Sequence, residues 1–473
     1  MQSRKPTQAR RVAVIGTGWA GLAAALKHAR GGAQVTVFER SSSPLGAGGR
    51  ASVAYAAGTK APFAIDNGQH VMVGAYGETF ALMRSVGVDE AGVMLRIPAS
   101  WHALSNHTAT EPTAIPALDI AVPAWCERSK ALWRGPLKML PITLALLGSA
   151  APSAWPALML ASIRLLVLRP AIDETVLSWL ARLKFPTPYA AQLWLPLCYA
   201  TLNTPPDIAS ATVFKRVISD SLLAGLDAAA MWVPKTDLNA LLPAPATREL
   251  QALGANFEYG VSVQSIEDTA KGARVAWLAA GDANAELKIQ TTVFDQVICA
   301  TSAKDAVRLL PSHLHSPALR YMAAQPSQPI STLHLYYPSR AALPRTVCIL
   351  PEPCDAANPI SHAVLIDRRA LNAQHAGWVT MVLSCSKPAL ALPKVDLLSA
   401  AAQRLHALLP HLGDCDLAKS VAIHAKQATF TCCAGLARPE ATLLASAVSL
   451  AGDYVAGPYP STLEGAIMSG NRA

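Results

Sequence analysis

Charge is scarce in this chain: 40 Lys and Arg and 31 Asp and Glu make up 15% of its 473 residues, where soluble domains carry about 25%. With 52% hydrophobic residues, that shortage excludes a disordered chain and argues against a polar partner met in open water. Aromatic residues are few as well, at 6%. The nine cysteines form no C-x-x-C pair, and neither His313-Leu314-His315 nor the vicinal Cys432-Cys433 has further ligands nearby. Reduced thiols and no metal are the expectation. No repeat and no low-complexity linker is present, so the roughly three domain-sized pieces that this length allows should interleave.

Unbroken apolar runs of membrane-spanning length are also missing. Met139 to Ile163 offers 25 residues without a charged side chain, enough to cross a bilayer, but Pro141, Pro152 and Pro156 cut it into shorter pieces. Phe185 to Pro206 is charge-free too and holds five prolines. Both read as short apolar helices, buried or lying in a membrane interface. The start MQSRKPTQARR before VAVIGTGWAGLAAAL imitates a signal peptide with a twin-arginine pair, yet the glycines inside the apolar run account for it better. A cytoplasmic protein without a targeting segment is expected.

What is present begins with Gly16-x-Gly18-x-x-Gly21 between a predicted strand (RVAVIG) and a predicted helix, with Glu39 closing the next strand, AQVTVFER. Gly16 makes the turn, Gly18 lets the backbone approach a pyrophosphate, and Gly21 lets helix and strand pack closely. The helix N-terminus faces phosphate charge, and Glu39 accepts from ribose hydroxyls. Arg40 beside it is a further candidate contact. An acid at 39 disfavours a 2′-phosphate and leaves NAD and FAD open. The cluster Gly46-Ala47-Gly48-Gly49-Arg50 then supplies a second phosphate grip, of which Gly49 and Arg50 are the candidates and which a nicotinamide enzyme does not usually have. At the far end, Gly452-Asp453 follows an apolar strand, and Ser461 or Thr462, ahead of Leu463, caps the last helix. The positive end of that helix suits the anionic edge of a reduced flavin.

Between these motifs, residues 101–225 are rich in Leu, Ala, Trp and Pro and mostly helical in pattern. GANFEYGVSVQSIEDTAKGARVAWLAAG and LKIQTTVFDQVICAT alternate apolar and polar residues, predicting a meander that closes on a buried strand Val297–Ala300. Strands are predicted in ISTLHLYY, HAVLI and WVTMVLSC, and a helix from about Leu397 to Leu409. The chain stops at Ala473 inside its last predicted helix, which is read as a slight truncation.

Taken with DNGQHVMVGAY (66–76), PLCYATLNTPPDIASATVFKRVISDSL (196–222) and LAGDYVAGPYPSTLEGAIMSG (450–470), these motifs resemble the squalene-associated FAD-dependent desaturases, now understood as hydroxysqualene dehydroxylases. That group lies in the amine oxidase and phytoene desaturase superfamily, and the likeness runs along nearly the whole chain. It implies an α/β fold: a Rossmann-like FAD domain of the GR2 type (11–100, 226–310, 426–473) interleaved with a substrate domain. The latter comprises apolar helices (101–225) and a mixed sheet (311–425). It also implies FAD held by Gly16, Gly18, Gly21, Glu39 and Arg50, with Gly452 and Asp453 reaching the pyrophosphate and ribityl chain and Val263 pairing with adenine through its backbone. PLGAGGR stands where the group more often has PLGGR, and Ala425-Lys426-Gln427 replaces a Glu-Lys-Arg run whose function therefore does not carry over.

The implied reaction is reductive removal of the hydroxyl of hydroxysqualene, with hydride passing from reduced flavin N5 to an allylic cation and a proton delivered to the leaving oxygen. Tyr459, before the last helix, and His70 in DNGQH are the candidate proton donors; Asp66 is expected to order its own loop. A thirty-carbon substrate costs on the order of 20 kcal/mol to expose to water, so it should arrive from a membrane. The segment WCERSKALWRGPLK (125–138), with four cations, one acid and two tryptophans, suits an anionic inner-membrane surface at about 1 kcal/mol per cation. Other squalene-pathway enzymes are admitted as partners. The competing readings are an isoprenoid desaturase running hydride the other way, or a lipid-binding partner that retains a flavin. Nucleic acid explains the +9 net charge poorly, because the basic residues are dispersed.

Overall fold

The computed structural model describes residues 9–42, 65–66, 69–104, 117–129, 132–133, 135–279, 289–340, 342–350, 359–360, 362–443 and 446–473. Gly49 and Arg50 lie outside the described residues.

Strand Arg11–Ile15 has four of its five residues buried, the signature of a strand covered on both faces. It sits at the centre of a five-stranded parallel sheet in the order Val448–Leu450, Gln296–Cys299, Arg11–Ile15, Gln34–Glu39, Asn256–Tyr259. The first helix, Trp19–Arg30, buries nine of its twelve residues. The last helix, Leu463–Arg472, crosses it so closely that a Cβ on Gly470 would come within 2.2 Å of the Ala20 carbonyl. Distant parts of the chain thus build one sheet and its helical cover.

The predicted meander is present as Val261–Thr269, Gly272–Ala279 and Ile289–Phe294, but it does not close on 297–300. That segment, all four strand residues buried, belongs instead to the parallel sheet. Alternation suits a sheet with one wet face; an unbroken apolar run does not.

A second five-stranded sheet is antiparallel, ordered Val347–Leu350, Ala363–Asp367, Trp378–Leu383, Ser327–Tyr336, Val421–Phe430. One face (Leu333, Leu335, Met381) packs on Leu397, Ala401 and Leu405 of helix Lys394–Leu408. Because side chains alternate along each strand, Thr332, His334, Thr380 and Ile366 face the other way. There Ile366 joins a cluster with Val233 and Val71, on the side of the 66–76 segment.

Between strands Asp119–Ala121 and Met231–Pro234 in the chain come helices Leu140–Ser149, Trp155–Val167, Val176–Leu183, Leu195–Leu202 and Ala211–Asp220. Pro141, Pro156 and Pro196 occupy first-turn positions, where no N–H is needed, so they start helices instead of breaking them. Asn203 ends helix Leu195–Leu202 in the left-handed region, φ 45°. Its amide donates to Thr429 Oγ1 at 2.9 Å and its carbonyl accepts from Cys385 N at 2.7 Å. Thr204 Oγ1 accepts from Cys432 N at 3.0 Å. The Leu202-Asn203-Thr204-Pro205 motif therefore fastens the apolar helices to the antiparallel sheet. Among the described residues no helix is long and apolar enough to cross a membrane.

Candidate flavin and substrate site

At the end of strand Arg11–Ile15 the chain turns at Gly16, φ +102°, where a Cβ would sit 2.9 Å from the Ala300 carbonyl. A Cβ on Gly21 would lie 2.1 Å from the Gly16 carbonyl, so helix and turn touch through backbone. Gly18 differs: a Cβ there would meet nothing within 4 Å among the described residues. Gly18 is also the N-cap of the first helix, with no capping side chain and no acid in the first turn. The leading N–H groups of that helix consequently face open space beside a glycine, the cradle a pyrophosphate requires.

Glu39, at the end of strand Gln34–Glu39, accepts from Thr17 N at 3.1 Å, Thr17 Oγ1 at 2.5 Å and Ser41 N at 2.8 Å. Its carboxylate is thereby fixed beside the glycine turn, where ribose hydroxyls would approach a bound dinucleotide. Arg40 follows it directly. Val263 lies on Val261–Thr269, an edge strand of the three-stranded sheet, opposite Trp277. These residues fit FAD: a backbone anion cradle, a fixed ribose acceptor and a strand edge.

The far-end motif builds the other wall. Gly452 N–H donates to Ser469 Oγ at 2.8 Å, and Asp453 accepts from Ser461 Oγ. Thr462, not Ser461, caps the last helix, accepting from Gly465 N at 3.1 Å ahead of Leu463. Sequence reasoning passed over what holds this loop in place. The half-buried Arg438 guanidinium donates to the carbonyls of Asp453 (2.7 Å), Tyr454 (3.4 Å), Val455 (2.5 Å), Gly457 (3.1 Å) and Tyr459 (2.6 Å). A lone Arg before a proline carries no pattern that would announce this. Glu464, also missed, is buried and accepts from Glu78 N, Thr79 N and Thr79 Oγ1 at 2.7–3.0 Å, capping helix Gly77–Ser85.

Tyr459 donates its hydroxyl to Asp220 Oδ2 at 2.6 Å, and Arg216 Nε holds the same oxygen at 2.5 Å. Burial, and then the Asp220 carboxylate, push the Tyr459 phenol up to about 12. Asp220 ends helix Ala211–Asp220, whose inward face is Ala211, Phe214 and Ile218. A carboxylate from the apolar helices is thus joined to the flavin-side loop. Nothing local in the sequence pairs residues 239 positions apart.

His70 lies two residues before strand Met72–Val73. Its neighbour Gln69 accepts from Arg368 Nη1 at 2.8 Å, and Asp66 accepts from Leu238 N at 3.1 Å, which ties down its loop. Burial raises Asp66 to about 7, against the pull of that hydrogen bond, and lowers Arg368 to about 10. Tyr76, six residues after His70, is half-buried near Glu464 and Tyr459, which push its phenol further up after desolvation has done so. The segment carrying His70 therefore reaches the same quarter as Tyr459. On the antiparallel sheet, His362 is buried with both ring nitrogens lacking a partner among the described residues. It stacks on Tyr199 at 3.7 Å, and burial lowers it to about 4.

A family model described as "Flavin containing amine oxidoreductase" matches residues 19–473. A curated protein of Rhodopseudomonas palustris named "Hydroxysqualene dehydroxylase" is 29% identical over 306 residues, an alignment spanning 63% of this chain and 63% of that protein's length. Among solved structures, an oxidoreductase from Methanosarcina mazei superposes with TM-score 0.68 at 15% identity, covering 98% of this chain and 99% of that one. Cyclohexylamine oxidase from Brevibacterium oxydans gives 0.64 at 16% identity, covering 98% of each chain. Putrescine oxidase gives 0.63 at 15% identity, covering 99% of this chain and 98% of that one. At such identities the structures speak to the fold alone.

Proposed function

Because this chain belongs to the flavin containing amine oxidoreductases, and is thereby an FAD-dependent oxidoreductase, we propose that its reaction is the reductive removal of the hydroxyl of hydroxysqualene. In the balanced reaction the allylic C–O bond breaks, the oxygen leaves as water after taking a proton, and a hydride completes the carbon. FAD, when bound in its reduced form, supplies that hydride. Squalene is the product, which places the protein in squalene and hopanoid biosynthesis.

The chain's own residues would divide the work. The N-terminus of the first helix, with Gly16, Gly18 and Gly21, would hold the pyrophosphate, and Glu39 with Arg40 the ribose end. Val263 would offer its backbone to adenine. Gly452, Asp453, Thr462 and Leu463 would line the other side, and Gly49 and Arg50 belong to the same proposal. The Tyr459 hydroxyl would deliver the proton on turning from Asp220 to the leaving oxygen, with the Arg216 guanidinium beside Asp220 offsetting the charge left on the phenol and His70 as the second donor. The apolar helices would exclude water around a charged intermediate.

The observation that carries this reading is the Tyr459–Asp220 hydrogen bond at 2.6 Å, an acid-base pair where the apolar helices meet the flavin-side loop. The name of the Rhodopseudomonas relative supports the choice of substrate. An isoprenoid of this size implies a cytoplasmic enzyme peripherally attached to the inner membrane. The test is to reduce the purified yellow protein without oxygen and add hydroxysqualene. Squalene formation with flavin reoxidation is expected; reoxidation by oxygen alone would make it a desaturase, and a colourless protein would overturn both. Tyr459→Phe combined with His70→Gln, if it kept full turnover and flavin, would remove the proton-donor assignment.

A further inference from the structure

The longest of the apolar central helices does not behave as a core helix. In Trp155–Val167 only Leu158, Ala161 and Leu165 are buried. Trp155, Met159, Leu160, Ile163, Leu166 and Val167 are all exposed, from 42% to 68%. At about 100° per residue those six fall within one face about 140° wide, opposite the buried stripe. The helix is thus apolar on both sides, and one side has no protein against it among the described residues. Helix Leu140–Ser149 repeats the pattern, with Pro141 and Ala145 buried while Leu140 and Leu144 are exposed. Of the 18 exposed large hydrophobic side chains among the described residues, 14 lie between positions 125 and 208. Such concentration marks an interaction surface.

We propose that this outward face of residues 137–172 lies in the headgroup layer of an anionic bilayer, with helix Trp155–Val167 parallel to the membrane plane. Charge selects the occupant. Residues 126–185 hold eight Lys and Arg against three Asp and Glu, a surplus of +5 within a chain whose total is +9. A second copy docked face to face would set that surplus against itself, whereas anionic lipid complements it. At 10 and 13 residues the helices are too short to span and suited to lying in the interface. Their surroundings match that depth. Trp155 Nε1 donates to the Leu147 carbonyl at 2.9 Å while its ring stays half exposed. Trp125 and Trp133 contact edge to face at 5.6 Å. Lys215 Nζ donates to the Leu168 carbonyl at 2.8 Å, holding the helix C-terminus with a cation. Membrane contact thereby extends from the basic 125–138 segment onto the helices that the sequence left either buried or lying in a membrane interface.

The biological sense of this placement rests on the proposed isoprenoid substrate, but its test is lipid binding. The flavin-loaded protein is sedimented with vesicles of phosphatidylcholine and phosphatidylglycerol, and with phosphatidylcholine alone. The triple variant Leu160→Asp, Ile163→Asp, Val167→Asp should keep its yellow colour and lose binding to the anionic vesicles by about tenfold or more. Leu160→Ile, Ile163→Leu, Val167→Ile should bind as the native protein does. Unchanged sedimentation of the triple variant overturns the proposal. So does a native dimer that the same variant splits into monomers, which assigns the face to a second copy. Should the variant lose its flavin, quenching by bromine-labelled acyl chains decides. Native protein must be quenched more than Trp155→Phe, and equal quenching refutes insertion. Turnover of hydroxysqualene in detergent separates the two readings: without it the reaction assignment fails while lipid binding stands.

Discussion

Around the first helix, backbone touches backbone: a Cβ at Gly21 or Gly470 would stand 2.1–2.2 Å from a carbonyl oxygen, and Arg438 gathers five carbonyls of one loop. Around helix Trp155–Val167, side chain meets side chain or, among the described residues, nothing at all. The first region recognises its ligand by position, with donors held at fixed places; the second requires only that its surface be apolar. An enzyme with the proposed hydrocarbon substrate would need both kinds of region, and they should respond to substitution very differently.

The sharpest way to break that contrast is Gly21→Ala. With a carbonyl oxygen in the way there is no low-cost relaxation, and a loss of about 3 kcal/mol or more with absent flavin is expected. Flavin absorbance of the purified protein and its thermal unfolding check this; a yellow Gly21→Ala protein of native stability would refute the close approach. Arg438→Met comes next. It strands partly buried carbonyls, each costing less than the about 1–3 kcal/mol of a fully buried unmet group, so we expect lower thermal stability and faster release of flavin, with helix content in circular dichroism retained.

A smaller, pH-dependent effect belongs to Asp66. Its folded-state value is raised from 3.8 to about 7, so the native chain holds that proton more tightly than the unfolded one. This contribution to stability is fully present below about pH 4 and is lost as pH rises to about 7. His362 acts in the opposite sense: its value is lowered from 6.5 to about 4, so stability is lost as pH falls through that window. Comparing Asp66→Asn with the native protein at each pH isolates the carboxyl. The variant should gain relative stability in urea between pH 4 and 7, and a flat difference would count against the assignment. Smallest of all is Ile163→Ser, on the outward face, expected to shift stability by no more than about 0.5 kcal/mol; a larger loss would mean that this face is packed.

The same contrast governs what could be read from the residues. Gly16 to Gly21 and Glu39 lie within one β-α-β unit, so spacing alone exposed them. Arg438 and Asp220 act through partners 15–21 and 239 positions away, and no local periodicity records such pairings. The strand Gln296–Cys299 was found but given to the wrong sheet, since four buried residues look the same wherever they are buried. Helix Trp155–Val167 was legible as apolar, yet a helix apolar all round gives no sign of which side is inward.

The crossing of the last helix over the first has a consequence for how the molecule comes into being. Strand Arg11–Ile15 gains one neighbour from residues 34–39, but its other side waits for 296–299, and the outer edge of that strand waits for 448–450. Ala20 meets Gly470 only after the intervening chain has been made. On a ribosome the glycine turn emerges long before its supporting wall. With contacts so distant in sequence, folding is slow and the strand beside the turn stays exposed while they are awaited.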